Sequence, residues 1–305
     1  MNTCTISKID FERIFSRCKK EEQELVYQIE NDLVEYYSCF AYNNLAQCYG
    51  YFADNLAWIN IENYLNNDME KFKNIYFVVS ELILLSDNNF NYNRSFIYPL
   101  LSDNQEIIKD YSLHEPTNHT PSHLLCEVDY PPYNIGKLKP ESYDFRFATY
   151  ALQCVIKNDW DEYHKIKELA NKKFKKLPVG IGFEFEFYDL LENRDLDKIQ
   201  NLIKTLLKPK LHKLFNDVSG GFYSLFSFHP TLFTKLCWIN GLEIEIDNPL
   251  VPMKLMPIEP LAEYDLVYDF LKPDYDWEAA RKRGKAIQRK EKILRFFGFK
   301  KVGGK

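Results

Sequence analysis

The first 98 residues of the chain contain no proline and only one glycine, Gly50. Inside a helix a proline costs about 3 kcal/mol and a glycine about 1 kcal/mol relative to alanine, so a stretch without them is well suited to long helices. Apolar residues recur there at the spacing of a helix face. One such stripe consists of Leu25, Ile29, Leu33, Tyr36, Tyr37 and Phe40. The spacing also predicts helices over residues 45–65 and 70–85.

A polar turn recurs where apolar stripes end, and each turn closes on an aspartate that could cap the next helix. The four aspartates are Asp68, Asp103, Asp159 and Asp195. Asp103 and Asp159 are each followed three residues later by a glutamate, which is the spacing of a capping box. The intervals between the four are 35, 56 and 36 residues. Two of them match a helix–turn–helix repeat, and the third matches one repeat with an insertion of about 20 residues.

The insertion is visible as residues 114–142, which hold five prolines and one glycine and cannot form a continuous helix. We expect a surface loop there. Gly241 is placed to end a helix that precedes it. Helices are predicted over residues 143–156, 160–175, 183–191, 196–207, 222–239 and 261–271.

Residues 242–247 alternate apolar and acidic side chains, a period of two that predicts a strand. The sequence therefore predicts a mostly α fold of stacked helical hairpins, α-solenoid-like, with a short β excursion near the C-terminus. We divide the chain into a helical body, residues 1–275, which includes the proline-rich insertion 114–142, and a basic amphipathic C-terminal helix or tail, residues 276–305.

The net charge of −5 hides an asymmetry between these two parts. The tail carries 11 lysines and arginines against three acids, whereas the body holds 28 basic and 41 acidic side chains. An acidic body repels nucleic acid and anionic membranes and attracts basic proteins. In the tail Asp276 could cap a helix whose apolar stripe is Ile287, Ile293, Leu294 and Phe297. This helix is expected to dock on the acidic body, although a basic tail could instead bind nucleic acid.

The sequence also carries signals about location. The N-terminus lacks the basic segment followed by an apolar segment that marks a signal peptide. The most apolar window, residues 75–85, contains Glu81 and is too short to span a bilayer. Seven scattered cysteines, never in C-x-x-C spacing, indicate reduced thiols. These features predict a cytoplasmic protein that does not insert into a membrane.

Catalytic motifs are missing from the sequence. It contains no phosphate-binding glycine loop, nucleophile elbow or dinucleotide fingerprint, so we expect neither an enzyme nor a cofactor. The histidines His114, His119 and His123 invite comparison with a zinc site. A zincin needs H-E-x-x-H on one helix, but the spacing here is one residue too long and Pro116 breaks the helix. We therefore expect a polar loop and no bound metal.

Carboxylates near the C-terminus of the body are the first candidates for binding a partner. Glu243, Glu245 and Asp247 would project from one side of the predicted strand, about 6.5–7 Å apart. Such a row could hold a cation or a basic partner. It could equally protect the edge of a strand against aggregation.

A second candidate pair of carboxylates lies in an aromatic helix. Glu184 and Glu186 fall in the stretch Phe-Glu-Phe-Glu-Phe-Tyr. The residues that suit the inner face of this helix are Phe183, Phe187 and Leu190, which would turn both acids outward. The sequence therefore predicts Glu184 and Glu186 as further surface residues for a partner.

Three helix-ending turns and one helix–glycine–strand segment carry a family resemblance. They are Leu100-Leu-Ser-Asp-Asn-Gln-Glu-Ile-Ile108, Leu152-Gln-Cys-Val-Ile-Lys-Asn-Asp159, Phe187-Tyr-Asp-Leu-Leu-Glu-Asn-Arg-Asp195 and Leu236-Cys-Trp-Ile-Asn-Gly-Leu-Glu-Ile-Glu-Ile-Asp-Asn-Pro-Leu-Val-Pro252. These stretches resemble the immunity protein 49 family of bacterial polymorphic toxin systems. The resemblance covers residues 40–271 and implies a mostly helical cytoplasmic protein, without enzymatic activity, that binds and blocks a cognate toxin. The family supplies no catalytic motif to carry over.

We accordingly expect a cytoplasmic immunity protein that neutralises a cognate toxin, a nuclease or another effector acting in the cytoplasm, by occluding its active site. A toxin that cuts nucleic acid needs a basic cleft, and an acidic partner can occupy such a cleft. The expected partner is the toxin domain. Nucleic acid is not expected to bind the body and stays open for the tail 276–305. The alternative is a helical-repeat scaffold, or a nucleic-acid-associated binding module that uses this tail.

Overall fold

The computed structural model describes residues 8–34, 45–86, 93–114, 145–174, 176–177, 179–216 and 225–297. Within these ranges the chain forms twelve α-helices and no β-strand, which confirms the mostly α fold. The helices are α1 (Lys8–Glu30), α2 (Leu45–Leu65), α3 (Met69–Ser86), α4 (Ile97–Ser102), α5 (Gln105–Leu113), α6 (Phe145–Ile156), α7 (Trp160–Lys173), α8 (Val179–Glu192), α9 (Leu196–Leu206), α10 (Pro209–Asn216), α11 (Phe228–Ile239) and α12 (Trp277–Phe296). Short 3-10 turns lie at Asn93–Phe96, Met253–Leu255 and Asp269–Leu271.

Helices that follow one another in sequence pack in pairs. α2 packs on α3, α6 on α7 and α8 on α9, while α1 covers α2. Helix α11 contacts both α9 and α4, so the last helix of the body returns to the middle of the chain. Buried apolar side chains join these helices into one large cluster. The predicted helical pairs are therefore present, and the contact of α11 with α4 is a long-range addition to them.

The turns inside these three pairs share one conformation. One residue takes a left-handed backbone conformation, and the aspartate after it caps the next helix with a side-chain oxygen 3.2 Å from a backbone nitrogen. The backbone N–H of that aspartate donates to the carbonyl five residues earlier, as in a Schellman motif. The left-handed residues are Asn67, Asn158 and Arg194, and the capping residues are Asp68, Asp159 and Asp195. The predicted capping role of these three aspartates is confirmed.

The turn between α4 and α5 differs from the other three. Here Asp103 itself is the left-handed residue, with a φ of 62°. Asn104 caps α5 instead, by accepting from the backbone nitrogen of Ile107 at 3.0 Å. The predicted cap at Asp103 is therefore wrong by one residue. The side chain of Asp103 is only 1% exposed and points into the protein, where its charge is paired.

Residues 242–247 form no regular secondary structure, and no other described segment pairs with them, so the predicted β excursion is wrong. Leu242, Ile244 and Ile246 are 7%, 3% and 4% exposed. The period of two therefore predicted correctly which side chains are buried. The period of two gives no information about a neighbouring strand, and a segment without a neighbouring strand does not form a sheet.

The predicted helix over residues 261–271 is wrong, because this stretch forms no α-helix and only its last three residues make a 3-10 turn. The side chain of Asn74 in α3 donates to the carbonyl of Asp265 at 3.0 Å and accepts from its backbone nitrogen at 2.8 Å. The hydroxyl of Tyr264 donates to the carbonyl of Ser102 at 2.6 Å. These long-range hydrogen bonds hold the segment against α3 and α4 and take the place of helical ones.

Two predictions fall largely outside the described residues. Of the insertion 114–142 only His114 is described, so the predicted loop with His119 and His123 lies outside the description. The predicted start of a helix at residue 222 lies outside it as well, and α11 is observed from Phe228 onward.

The predicted C-terminal helix is α12, and Asp276 caps it as expected, accepting from a backbone nitrogen of the first turn at 2.8 Å. Of the predicted apolar stripe, Ile287 and Leu294 are half-buried. Ile293 and Phe297 are 58% and 68% exposed, so their assignment to the docked face is wrong. The face of α12 that packs is set by residues closer to its start.

The first half of α12 lies on the C-terminal end of α1. Tyr275 and Arg283 each donate to the backbone carbonyl of Glu30 at 2.7 Å. The two backbones come so close that a Cβ at Gly284 would overlap the carbonyl oxygen of Asn31. Glycine is therefore required at this crossing, and the crossing fixes how the tail leaves the body.

Candidate functional site

Glu243, Glu245 and Asp247 lie together on the outer side of residues 242–247, the segment that follows α11. All three side chains are exposed, whereas the apolar residues between them face the core. The structure thus brings three of the predicted partner-binding residues into one linear array of carboxylates, which we call the acidic row.

The start of the acidic row is fixed by the end of α11. Gly241 has a φ of 68°, and the backbone N–H of Leu242 donates to the carbonyl of Cys237 at 2.8 Å. This is the glycine-ended helix that the sequence predicted. The indole Nε1 of Trp238 donates to the carbonyl of Ile244 at 2.9 Å. The backbone in the middle of the row is therefore tied to the last turn of α11.

The far end of the acidic row is fixed by a turn. The side-chain oxygen of Asn248 accepts from the backbone nitrogen of Leu250 at 2.9 Å. The carbonyl of Leu250 accepts in turn from the backbone nitrogen of Ser227, just before α11, at 2.8 Å. Pro249 and Pro252 further restrict the backbone here. Both ends of the row are consequently held by hydrogen bonds to the body.

The prediction that Glu184 faces outward is wrong. Glu184 is 2% exposed, and its Oε1 lies 3.1 Å from Nε2 of His229 in α11. Phe187 is fully buried as expected, whereas Phe183 and Leu190 are only half-buried. The buried face of α8 is wider than the sequence predicted and also takes in Ile181, Glu184, Phe185, Tyr188 and Leu191. Glu186 is exposed as predicted but lies on α8, on a different element from the acidic row.

The pair of Glu184 and His229 is enclosed by aromatic rings. The rings of Phe215 and Phe228 each lie 4.9 Å from the imidazole of His229, and that of Phe233 lies 5.7 Å away. His229 is 5% exposed. A carboxylate and an imidazole in hydrogen-bond contact can transfer a proton, but burial at this depth keeps them from a ligand at the surface. Their observed contact joins α8 to α11.

A second histidine group surrounds the start of α11. Nδ1 of His212 lies 3.1 Å from the hydroxyl of Ser227, and Asn216 contacts both residues. The side-chain oxygen of Asn216 accepts from the backbone nitrogen of Phe228, the first residue of α11, at 2.8 Å. Ser227 is fully buried, so its hydroxyl is not placed as a nucleophile for a substrate. Burial lowers the pKa of His212. Asn216, at the end of α10, therefore caps the start of α11.

The largest charge cluster in the described interior joins α3, α11 and the turn after α4. Nζ of Lys73 lies 2.8 Å from Oδ2 of Asp103, and Nζ of Lys235 lies 2.6 Å from Oδ1. The three side chains are 5%, 1% and 0% exposed for Lys73, Asp103 and Lys235. Burial lowers the pKa of Lys235, and the carboxylate of Asp103 opposes that shift.

Backbone carbonyls complete the surroundings of the two lysines. Lys235 donates to the carbonyls of residues 255–257 at 2.8–3.3 Å, and Lys73 donates to the carbonyl of Glu259 at 2.6 Å. The backbone nitrogen of Glu259 donates to Oδ2 of Asp103 at 3.3 Å. The cluster therefore clamps the extended segment after the acidic row onto α3, α4 and α11. No sequence pattern indicated this cluster, because its members come from distant parts of the chain.

The described residues contain neither a metal-binding group of side chains nor a membrane-spanning helix. No three His, Cys, Asp or Glu side chains there are grouped so that they could hold a metal ion. None of the described helices combines the length and the apolar character needed to cross a membrane.

Comparisons of the chain with protein-family models, with curated proteins and with solved structures found no match. The resemblance of the sequence to the immunity protein 49 family therefore stays a prediction.

Proposed function

We propose that this protein binds and neutralises a basic protein toxin in the cytoplasm, and that the acidic row lies in the interface. The observation that supports the proposal is the geometry of Glu243, Glu245 and Asp247. They are three exposed carboxylates at alternate positions of a backbone that is hydrogen-bonded to the body at both ends.

Preorganisation makes such a row effective in binding. A side chain or loop that is ordered only on binding loses entropy, and this cost is reduced when the backbone is already held in place. Close charge pairs in a protein–protein interface couple by about 1.5–7 kcal/mol in double-mutant cycles. Three carboxylates in a fixed array therefore suit a partner that presents lysine or arginine side chains in register.

The charge of the body supports the same kind of partner. Residues 1–275 carry 41 acidic and 28 basic side chains, so the field around the body attracts a basic protein and speeds its association. A toxin that cleaves nucleic acid holds phosphates in a basic cleft. An acidic row placed over that cleft would exclude the substrate, which is the inhibition we propose.

Protection against aggregation is the competing explanation of the row. An extended segment with open backbone groups can pair with another chain, and charged side chains on it prevent such pairing. This explanation predicts that removing the charges produces self-association and leaves toxin binding unchanged. The two explanations therefore differ in a measurable way.

The experiment is a charge reversal of the whole row, E243K/E245K/D247K. Cells that co-express the chain with a candidate toxin domain are scored for growth, and association of the two purified proteins is followed at several salt concentrations. We expect loss of protection and association slowed by at least tenfold at low salt. Circular dichroism should be unchanged, because the three side chains face solvent.

The matched control reverses three exposed acids on other elements, D110K/E168K/E263K, and changes the net charge by the same amount. It should keep protection, since it leaves the acidic row intact. Equal loss of protection in both variants would show that toxin binding depends on the total charge of the body and not on the acidic row. Full protection by the row variant, together with faster aggregation, would assign the row to protection of the extended segment.

A further inference from the structure

The C-terminal end of α12 exposes three large apolar side chains that the docking of the helix does not use. Ile293, Phe296 and Phe297 are 58%, 85% and 68% exposed. The two phenylalanine rings touch each other at a centroid distance of 5.5 Å. Neighbouring exposed apolar residues of this size are typical of a binding surface.

Ile293 and Phe297 form part of an ordered pattern around the helix, and Phe296 lies beside it on the flank of Arg289. At 100° per residue, Ala286, Ile293 and Phe297 fall in one stripe on the side of α12 that faces solvent. Arg289 lies on one flank of that stripe and Lys290 on the other. The opposite side of the helix is the one that docks on the body. The exposed side is thus an apolar stripe bordered by basic residues.

The basic residues of this second half are available for a partner. Lys285, Arg289, Lys290 and Lys292 are exposed or nearly so, and within the described part of the chain none of them forms an ion pair. The docked half differs, since Arg283 there donates to a carbonyl of α1. The positive charges of the four residues in the second half are therefore not neutralised by ion pairs within the described part of the chain.

We propose that the C-terminal half of α12 binds peripherally to an anionic phospholipid surface. A helix that lies in a membrane interface presents apolar side chains between basic ones, and it places the apolar side chains among the headgroups and the upper acyl chains. Each lysine or arginine near an anionic leaflet adds to the attraction. Phe296 and Phe297 would enter the interface while Lys285, Arg289 and Lys292 meet lipid phosphates.

This mode of binding differs from spanning a membrane and is compatible with the acidic body. The body is repelled by an anionic surface, so only the projecting end of α12 would approach it.

Binding to nucleic acid would account for the basic side chains of this half of α12 but not for its exposed apolar ones. Contacts to a phosphate backbone would engage the basic residues and leave Ile293, Phe296 and Phe297 in water. A lipid surface uses both the charges and the apolar side chains. The observations therefore favour the lipid surface, and nucleic acid becomes one outcome of the test.

The test is co-sedimentation of the full chain with vesicles. We expect binding to vesicles of phosphatidylglycerol and phosphatidylcholine, and none to phosphatidylcholine alone. F296S/F297S should lower the partition coefficient at least tenfold while keeping every charge. K285Q/R289Q/K290Q/K292Q should lower it at least tenfold while keeping every apolar side chain. Both variants should retain the circular dichroism spectrum and melting temperature of the parent, since the replaced side chains lie away from the docked face.

The matched control is L113S/L214S, which removes two apolar side chains of the body that are 57% and 61% exposed. It should bind vesicles as the parent chain does. Absence of binding to anionic vesicles would overturn the inference, as would binding that F296S/F297S leaves unchanged. Salt-sensitive binding to an RNA or DNA duplex without vesicle binding would assign the helix to nucleic acid.

This inference does not rest on the proposed toxin partner. Reversal of the acidic row should leave vesicle binding intact, and F296S/F297S should leave toxin neutralisation intact. Failure of one proposal is therefore separable from failure of the other.

Discussion

Nζ of Lys235 in α11 lies 2.6 Å from Oδ1 of Asp103 at the end of α4, and neither side chain is more than 1% exposed. A buried ion pair adds little net stability by itself, because the loss of hydration offsets much of the attraction between the charges. Its importance here lies in position. The pair joins the helix that precedes the acidic row to the middle of the chain, so the row is built on an element held from two sides.

Replacement of Asp103 by Asn should be strongly destabilising. The change keeps the shape of the side chain but leaves Lys73 and Lys235 buried beside a neutral group. Removing one partner of a buried ion pair costs about 3–5 kcal/mol. The free energy of unfolding, measured by urea denaturation, should fall by about that amount.

Asp159→Asn is the matched control for Asp103→Asn. It makes the same chemical change at a turn where the aspartate is exposed and caps a helix, and asparagine caps about as well as aspartate. We expect a change within about 0.5 kcal/mol. Equal losses in the two variants would contradict a special role for the buried cluster.

The repeated turns show how far the sequence could predict the fold. A capping aspartate acts on a backbone nitrogen three residues away, so Asp68, Asp159 and Asp195 were predictable from local pattern. Asp103 has the same local pattern, but its side chain is drawn inward by Lys235, a residue far away in sequence. Local rules fail where a long-range partner competes for the same side chain.

The acidic row was likewise predictable in its local features and not in its long-range ones. Alternation along the chain predicted that Glu243, Glu245 and Asp247 share the outer side, since that depends only on extended backbone. Whether a second strand lies alongside depends on the rest of the fold, and the sequence carried no signal for it. The burial of Glu184 was missed for a related reason, because its partner His229 lies on another helix.

Replacement of Gly284 by Ala should loosen the tail from the body. The added Cβ would overlap the carbonyl oxygen of Asn31, so α12 must shift away from the end of α1. Overpacking of this kind costs about 1–3 kcal/mol. Limited trypsin digestion should then cut faster within α12, whose lysines and arginines become more accessible.

Gly182→Ala gives the comparison for Gly284→Ala. A Cβ at Gly182 in α8 would meet no atom within 4 Å. Alanine favours a helix over glycine by about 0.5–1 kcal/mol, so this variant should be slightly more stable than the parent. We therefore expect Gly284→Ala to lower the free energy of unfolding and Gly182→Ala to raise it. A stabilised Gly284→Ala variant with unchanged trypsin cleavage would refute the close crossing of α12 and α1.

Burial of His212 should make stability depend on pH. Its pKa is lowered in the folded state from an ordinary value of 6.5. As the pH falls below about 6.5, the unfolded chain binds a proton that the folded chain binds less readily, so the free energy of unfolding decreases. The contribution of one such group cannot exceed about 1.4 kcal/mol per pH unit.

The variant His212→Gln removes this titration. The free energy of unfolding of parent and variant is measured by urea denaturation at pH 8 and at pH 5. It should fall more for the parent than for the variant when the pH is lowered from 8 to 5. A variant that loses as much stability as the parent would show that His212 titrates normally.

The last prediction separates the geometry of the acidic row from its charge. Trp238→Phe removes the indole donor to the carbonyl of Ile244 and changes no charge. If the row binds a basic toxin as a preorganised array, loosening its backbone adds an ordering cost on binding, which is about 0.5–1.5 kcal/mol for each group that must be immobilised. Affinity for the toxin domain should then fall about two- to tenfold, while the salt dependence of association stays that of the parent because the field is unchanged. Trp160→Phe in α7 makes the same chemical change away from the row and should leave affinity unaltered. Unchanged affinity in Trp238→Phe, alongside lost binding in the charge-reversed row, would mean that the carboxylates act by attraction alone and that the anchoring by α11 contributes nothing to recognition.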